Sequence, residues 1–340
     1  MTGRAGSGAL LCEGFVASAD ALASVEEGTD RHGARSIDVK LSGGLAFRVL
    51  PDQGLDIGPL WWAGFPVSWR SPQPPARLSA GREPTWLSAW GGGMVTTCGV
   101  DNIGPGRDGY GLHGSHHATP AEDVQVRRLS RDNHLGVLIT GIVRNVEMFG
   151  RRITVRREIE AWTDAAAFDL RDEITNEGME TVAIPLLYHV NFGAPFISPG
   201  SRIEVDSGDT VVRDAQSVVP DPRRMPAPTT EIAEAVFEHR GFDGFAPLRS
   251  AVVESPALGA RARLTWTAGT LPRLYEWVWP TRGGWALGIE PANSALFGPD
   301  RDQPHAGAPM LTRGATTTTH LSLSIERLPA SPAETARPEV

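Results

Sequence analysis

Apolar and polar residues alternate with a period of two over much of the chain. Leu45, Phe47 and Val49 alternate with Ala46, Arg48 and Leu50, and Pro51-Asp52-Gln53-Gly54 then supplies turn chemistry. Val137, Ile139, Gly141 and Val143 form a second such run. Ile153, Val155 and Ile159 share one face, with Thr154, Arg156, Glu158 and Glu160 on the other. Phe168, Leu170 and Ile174 follow, interleaved with Asp169, Arg171 and Glu173, and Asn176-Glu177-Gly178 closes the run. Joined only by Thr163-Asp164-Ala165-Ala166, these last two runs predict an antiparallel pair with one face toward water. Leu321, Leu323 and Ile325 repeat the pattern near the end. Helical periodicity is confined to two short stretches: Asp20 to Glu27, with Asp20 as the N-cap, and Thr229 to Phe237.

So many strands without crossover helices predict an all-β fold, a large antiparallel sandwich. With no internal repeat and no Ser/Gly linker, residues 1–327 read as one domain. Residues 1–10 and the Pro/Ala-rich stretch 328–340 read as mobile tails. The chain of 340 residues carries 38 glycines and 27 prolines, roughly a fifth of its length, which fits many turns and argues against a helical bundle.

Charge narrows the partners. Thirty-two basic residues against 40 acidic ones give a net charge of −8, and the arginines are dispersed, so no basic face for nucleic acid is expected. Two cysteines, Cys12 and Cys98, make neither a disulfide framework nor a Cys-x-x-Cys knuckle and fit a reducing, cytoplasmic setting. No run approaches the roughly 18 apolar residues of a membrane helix, and the N-terminus lacks a signal-peptide pattern. A monomer or homodimer is expected.

Four stretches place ionisable groups beside glycines and aromatics. The first is Arg48-Val49-Leu50-Pro51-Asp52-Gln53-Gly54-Leu55-Asp56-Ile57-Gly58, in which Asp and Gly also serve a turn. The second runs from Trp90-Gly91-Gly92-Gly93 through Asp101-Asn102 to Leu112-His113-Gly114-Ser115-His116-His117. Three histidines within five residues invite a metal. However, His116 and His117 would point opposite ways on a strand, and Gly114 weakens a helix that would align His113 with His117. A substrate-facing imidazole at His113 is the preferred reading, and no metal is assigned. The third stretch is Tyr188-His189-Val190-Asn191-Phe192-Gly193, where His189 and Asn191 would share one strand face unless the histidine is simply core. In the fourth, Tyr275-Glu276-Trp277-Val278-Trp279 precedes Gly288-Ile289-Glu290-Pro291. Glu290 ends an apolar run, where desolvation raises a carboxyl pKa toward the value a general base needs. The tryptophans either stack on sugar C–H faces or fill core. No Gly-x-x-x-x-Gly-Lys loop, Gly-x-Ser-x-Gly elbow or His-Glu-x-x-His is present.

In this order the stretches resemble the aldose 1-epimerase (galactose mutarotase) superfamily, and most closely its DUF4432 branch, over residues 30–327. The resemblance implies a galactose mutarotase-like β-supersandwich that binds a monosaccharide without a cofactor. It further implies Glu290 as the base that takes the anomeric hydroxyl proton, His189 as the acid at the ring oxygen and His113 as a second histidine. Asn191, Asn102, Asp56, Arg48 and Trp279 are the candidate sugar contacts. Two positions depart from the branch. Gln53 stands where an arginine is usual, which leaves a modified or acidic sugar open as substrate, and the aspartate of well-studied mutarotases has no clear counterpart, Asp243 lying in unmatched surroundings. A non-catalytic sugar sensor, or another isomerase or lyase with a metal at His113, His116 or His117, are the alternatives on such a scaffold.

Overall fold

The structure, a computed structural model, describes residues 7–31, 33–72, 86–214 and 219–328. The alternating runs become the strands of two large antiparallel sheets, and their apolar faces meet in one core. Among the described residues the larger sheet has eleven strands. Its central order is Asp56–Trp62, Val95–Gly99, Leu186–Phe192, Ala286–Ala292, Arg273–Trp279 and Ala235–Arg240. The smaller sheet has eight, and Ala167–Asn176 lies between Thr316–Arg327 and Arg152–Trp162. The hairpin expected around residues 163–166 forms with Phe168 opposite Ala161. The β-supersandwich fold is therefore the observed one. No helix among the described residues is long and apolar enough to cross a membrane.

Both predicted helices are corrected. Residues 19–21 make a single 3-10 turn capped by Ser18, not Asp20, and Ala23–Thr29 is a strand. There Val25 pairs with Val39 on the sheet edge, and the ladder outweighs a weak local helical pattern. Thr229 to Phe237 ends in the strand Ala235–Arg240, which pairs with Arg273–Trp279. The N-terminal tail is shorter than expected: Ser7–Cys12 is a helix whose Ser7 and Gly8 are buried. Residues 1–6 and 329–340 lie outside the described residues.

Arg157 faces into the core from the smaller sheet and is fully buried. Its five N–H groups are all used. They reach Asp172 on the neighbouring strand (2.8 and 2.6 Å) and, across the interior, Asp56 (2.6 Å), Thr97 Oγ1 (2.8 Å) and the Gly54 carbonyl (3.1 Å). Tyr188 donates its hydroxyl to Asp172 (2.6 Å) from the larger sheet. A saturated ionic network of this kind clamps the strands carrying Asp56, Thr97 and Tyr188 in register with the opposite sheet. Burial still drives the Asp56 carboxyl up to about 6, against the pull of the Arg157 charge.

Candidate active site

The strand Leu186–Phe192 is buried on both faces. Leu186, Tyr188 and Val190 point into the main core, while His189 emerges on the other side of the sheet. Next to it runs Ala286–Ala292, with Val190 opposite Ile289 and Asn191 opposite Gly288. That pairing carries Glu290 to His189: Glu290 Oε1 lies 3.1 Å from His189 Nε2, both side chains being almost wholly buried. The approach is off-line for a hydrogen bond. Glu290 Oε1 and His189 Nδ1 are left buried without partners, a cost tolerated where a ligand will supply them.

Gly288 makes this approach possible. A Cβ there would stand 2.8 Å from both Glu290 Oε1 and His189 Cε1, closer than any real Cβ contact.

His113 completes a triangle, its ring 6.0 Å from that of His189. It sits at φ +61°, in the left-handed region that a non-glycine residue occupies at some cost. Gly99 N donates to its carbonyl, its own N–H donates to Gly104 O, and Gly104 N reaches its Nδ1 (3.3 Å). Gly114, beside it, has a positive φ, and a Cβ there would lie 2.0 Å from Asp101 Oδ1.

Around these three groups lies a cavity of about 580 Å³ walled by Trp69, Trp86, Trp90, Trp277 and Trp279, half of the chain's ten tryptophans. Trp86 and Trp90 are stacked at 4.8 Å, and Trp277 stacks on Trp279 at 5.9 Å. Trp69 packs its edge against the Trp277–Trp279 pair. At the mouth, Arg213 donates to Glu234 (2.6 Å) and to Asp214, and Trp277 Nε1 donates to Glu234 (3.0 Å).

Burial dominates the electrostatics. It raises the Glu290 carboxyl to about 8, helped by the Glu234 charge. It lowers His189 to about 3 and His113 well below the usual imidazole value. Near neutral pH the pair therefore holds a single proton, which rests on Glu290 and has His189 as its nearest acceptor.

The structure brings Glu290, His189, His113 and Trp279 together around the cavity and sets Asn191 beside His189 behind its wall, whereas Asn102, Asp56 and Arg48 lie elsewhere. Asn191 shares the His189 face as the strand period requires; its Nδ2 donates to the Gly93 and His189 carbonyls and its Oδ1 is buried without a partner. Its side chain acts on the His189 ring against the effect of burial, though it does not line the cavity. Asn102 donates to the Gly104, Pro105 and Gly111 carbonyls and accepts from Arg301, so it fastens the loop that carries His113. Asp56 is committed to the interior clamp. Arg48 pairs with Asp38 across neighbouring strands (2.8 and 2.7 Å). Gln53 is exposed on a turn, and Asp243 caps the turn at Phe245. The neighbouring histidines diverge. His116 is buried against Asn145 and Gly54, whereas His117 packs its ring 4.5 Å from Trp86. Among the described residues no three His, Cys, Asp or Glu side chains converge as metal ligands would. Sequence reasoning missed Trp69, Trp86, Arg213 and Glu234; the only trace was the density of tryptophans between residues 61 and 90.

The sequence profile of the DUF4432 family, a domain of unknown function, matches residues 31–325. The chain belongs to the DUF4432 family. This DUF4432 chain also has the fold of solved mutarotase-like structures. A "putative aldose 1-epimerase" from Klebsiella pneumoniae superimposes with a TM-score of 0.77 at 22% identity, covering 88% of this chain and 83% of that one. A galactose mutarotase-like protein from Clostridium acetobutylicum gives 0.61 at 16% identity, covering 89% and 98%. A galactose mutarotase related enzyme from Lactobacillus acidophilus gives 0.58 at 13%, covering 86% and 97%. Among curated proteins none matches by sequence.

Proposed function

We propose that the protein is an aldose 1-epimerase-like isomerase that interconverts the anomers of a free monosaccharide. The observation that carries this reading is the buried Glu290–His189 pair, with its unpartnered Oε1 and Nδ1, at the floor of an indole-lined cavity. The couple reacts from the tautomer in which its single proton has passed from Glu290 to His189: the Glu290 carboxylate then takes the proton of the anomeric hydroxyl while the His189 imidazolium delivers one to the ring oxygen. The C1–O5 bond breaks, the aldehyde forms, and C1 turns about the C1–C2 bond. Reclosure returns both protons and gives the other anomer. His113 lies beside the pair to hold a hydroxyl or share the acid role. One acid and one base that exchange roles suffice for the chemistry.

Exchange NMR of anomeric protons over a panel of free aldoses tests the reading directly. Accelerated exchange for at least one sugar is expected. Saturable binding with no acceleration would instead make the protein a carbohydrate-binding module.

Two further outcomes are specific to this geometry. With Glu290 near 8 and His189 near 3, the couple keeps its single proton from mildly acidic to neutral pH and loses it above about 8. After subtraction of the uncatalysed rate, kcat/KM is expected to be level between about pH 5 and 7 and to fall above about 8. A rise through pH 8 would mean that the carboxylate works alone with its acid elsewhere. Gly288→Ala forces Glu290 and His189 apart, and a displacement of order 1 Å is expected to lower turnover by roughly 10²-fold. Near-normal turnover would show that the close approach is dispensable.

A further inference from the structure

The placement of the indoles relative to the acid–base pair bears on which sugar fits, given the aldose 1-epimerase reading above. The ring oxygen of a bound pyranose must face His189, and its anomeric hydroxyl must face Glu290. The substituent on C5 is only two bonds from that ring oxygen, so it occupies the space next to the His189 ring. Trp90 and Trp277 stand nearest, their centroids 4.8 and 5.4 Å from the imidazole, with the His113 ring at 6.0 Å and Trp86 at 6.5 Å.

The two indoles nearest His189, Trp90 and Trp277, offer carbon rather than donors. Trp90 Nε1 is spent on Thr96 Oγ1 (3.0 Å), Trp277 Nε1 on Glu234, and Trp69 Nε1 on the Gly284 carbonyl (2.8 Å). On the side of Trp90 and Trp277, away from His113, a hydroxymethyl group at C5 would leave its hydroxyl desolvated and unpaired, whereas a methyl group would gain apolar contact. Charge is no better accommodated. Arg213, the one cation among the described cavity residues, already faces Asp214 and Glu234. A carboxylate or sulfonate on the sugar would meet Glu234 and the carboxylate that Glu290 must present as base, without a free counter-ion.

We infer that the cavity selects a neutral 6-deoxyaldose, an aldohexose with a methyl group at C5, over the parent hexose and over its uronic acid. The indoles beside His189, Trp90 foremost, determine that choice.

The test is anomeric-proton exchange with the full chain on matched sets: 6-deoxygalactose, galactose and galacturonate, and 6-deoxyglucose, glucose and glucuronate, in both enantiomeric series. In one set the 6-deoxy sugar is expected to exceed the hexose in kcat/KM by roughly tenfold or more, one unpaired hydroxyl's worth, with the uronate slowest. Trp90→Gln, which places an amide donor beside C6, is expected to reduce that ratio at least severalfold whatever its effect on absolute rate. A hexose or uronate equal to or better than its deoxy partner in every accelerated set would overturn the inference and leave the isomerase reading standing. An unchanged ratio in a folded Trp90→Gln would remove Trp90 as the determinant. Acceleration of no sugar would overturn both.

Discussion

Glu290→Gln is expected to lower anomer interconversion by about 10²–10⁴-fold, the usual contribution of a positioned proton-transfer group, while leaving the protein folded. The substitution keeps the shape of the side chain and removes only its ability to accept a proton. His189→Ala should fall in the same range. The double variant should lose little more than either single one, since two members of one proton couple do not contribute independently. Stability separates this outcome from a damaged fold. The folded chain holds the Glu290 proton up to about pH 8, whereas the unfolded chain releases it near the ordinary carboxyl value of 4.5. A folded pKa raised in this way contributes stability below the unfolded value and loses it as pH rises toward 8. Glutamine has nothing to lose over that window. Glu290→Gln is therefore expected to resist urea better than the parent at pH 8 and to show little of that advantage at pH 4.5. An inactive variant that is also less stable at pH 8 would point to a structural role for the carboxyl; full activity would remove it from the chemistry.

The largest effect on stability is expected at Arg157→Met. The guanidinium is fully buried between Asp56 and Asp172, and its removal strands both carboxylates and leaves the Gly54 carbonyl without that donor. Breaking a buried pair from one side costs typically about 3–5 kcal/mol, and here two pairs break together. Against a total stability of about 5–15 kcal/mol, much of the margin goes. The deficit should shrink as pH falls from 7 to 5, because stranded carboxyls in the folded variant take up protons more readily than those in its unfolded chain. Urea denaturation at the two pH values measures both effects. A loss below about 1 kcal/mol at pH 7 would mean that the clamp is ornamental to the fold, and a deficit independent of pH would mean that packing, not charge, is what was lost.

Much of this was legible in the alternation itself. The strands around Leu45, Ile153, Phe168 and Leu321 are where the period of two puts them, because one face of each must be buried and a slip of one residue would expose it. The clamp left a trace as well. Arg157 continues the inward series Ile153, Val155, Ile159, and Asp172 continues Phe168, Leu170, Ile174. Two opposite charges in apolar phase on strands joined by a short turn fall directly opposite each other in the observed register. Asp56, by contrast, offered no sign of facing inward to Arg157 rather than outward to a ligand, since that depends on the packing of one sheet on the other. The same limit explains the site. Glu290 and His189 stand out by flanking residues, but their 3.1 Å approach depends on strand pairing across about a hundred residues of sequence. Trp69, Trp86 and the Arg213–Glu234 pair come from connecting segments, where no periodicity marks direction. Asn102 shows the reverse error: a polar residue in a glycine-rich loop reads as a ligand contact, and it is a clasp for backbone carbonyls. Asp20 and Thr229 looked like helix starts because a local cap signal carries no information about a strand waiting to pair.

Tyr188 and His189 are consecutive residues that belong to two different interiors, one closed between the sheets and the other open to the cavity. Neither face of that strand can turn toward water without exposing apolar surface of the other, so the floor of the cavity is tied to the core between the sheets. Whatever accommodation the protein makes to differently shaped guests must come from the rim, where Trp69, Trp86 and Trp90 ride on connecting segments. Diversification of such a scaffold would accordingly exchange the rim and preserve the floor, altering which guest fits while the Glu290–His189 contact beneath it stays the same.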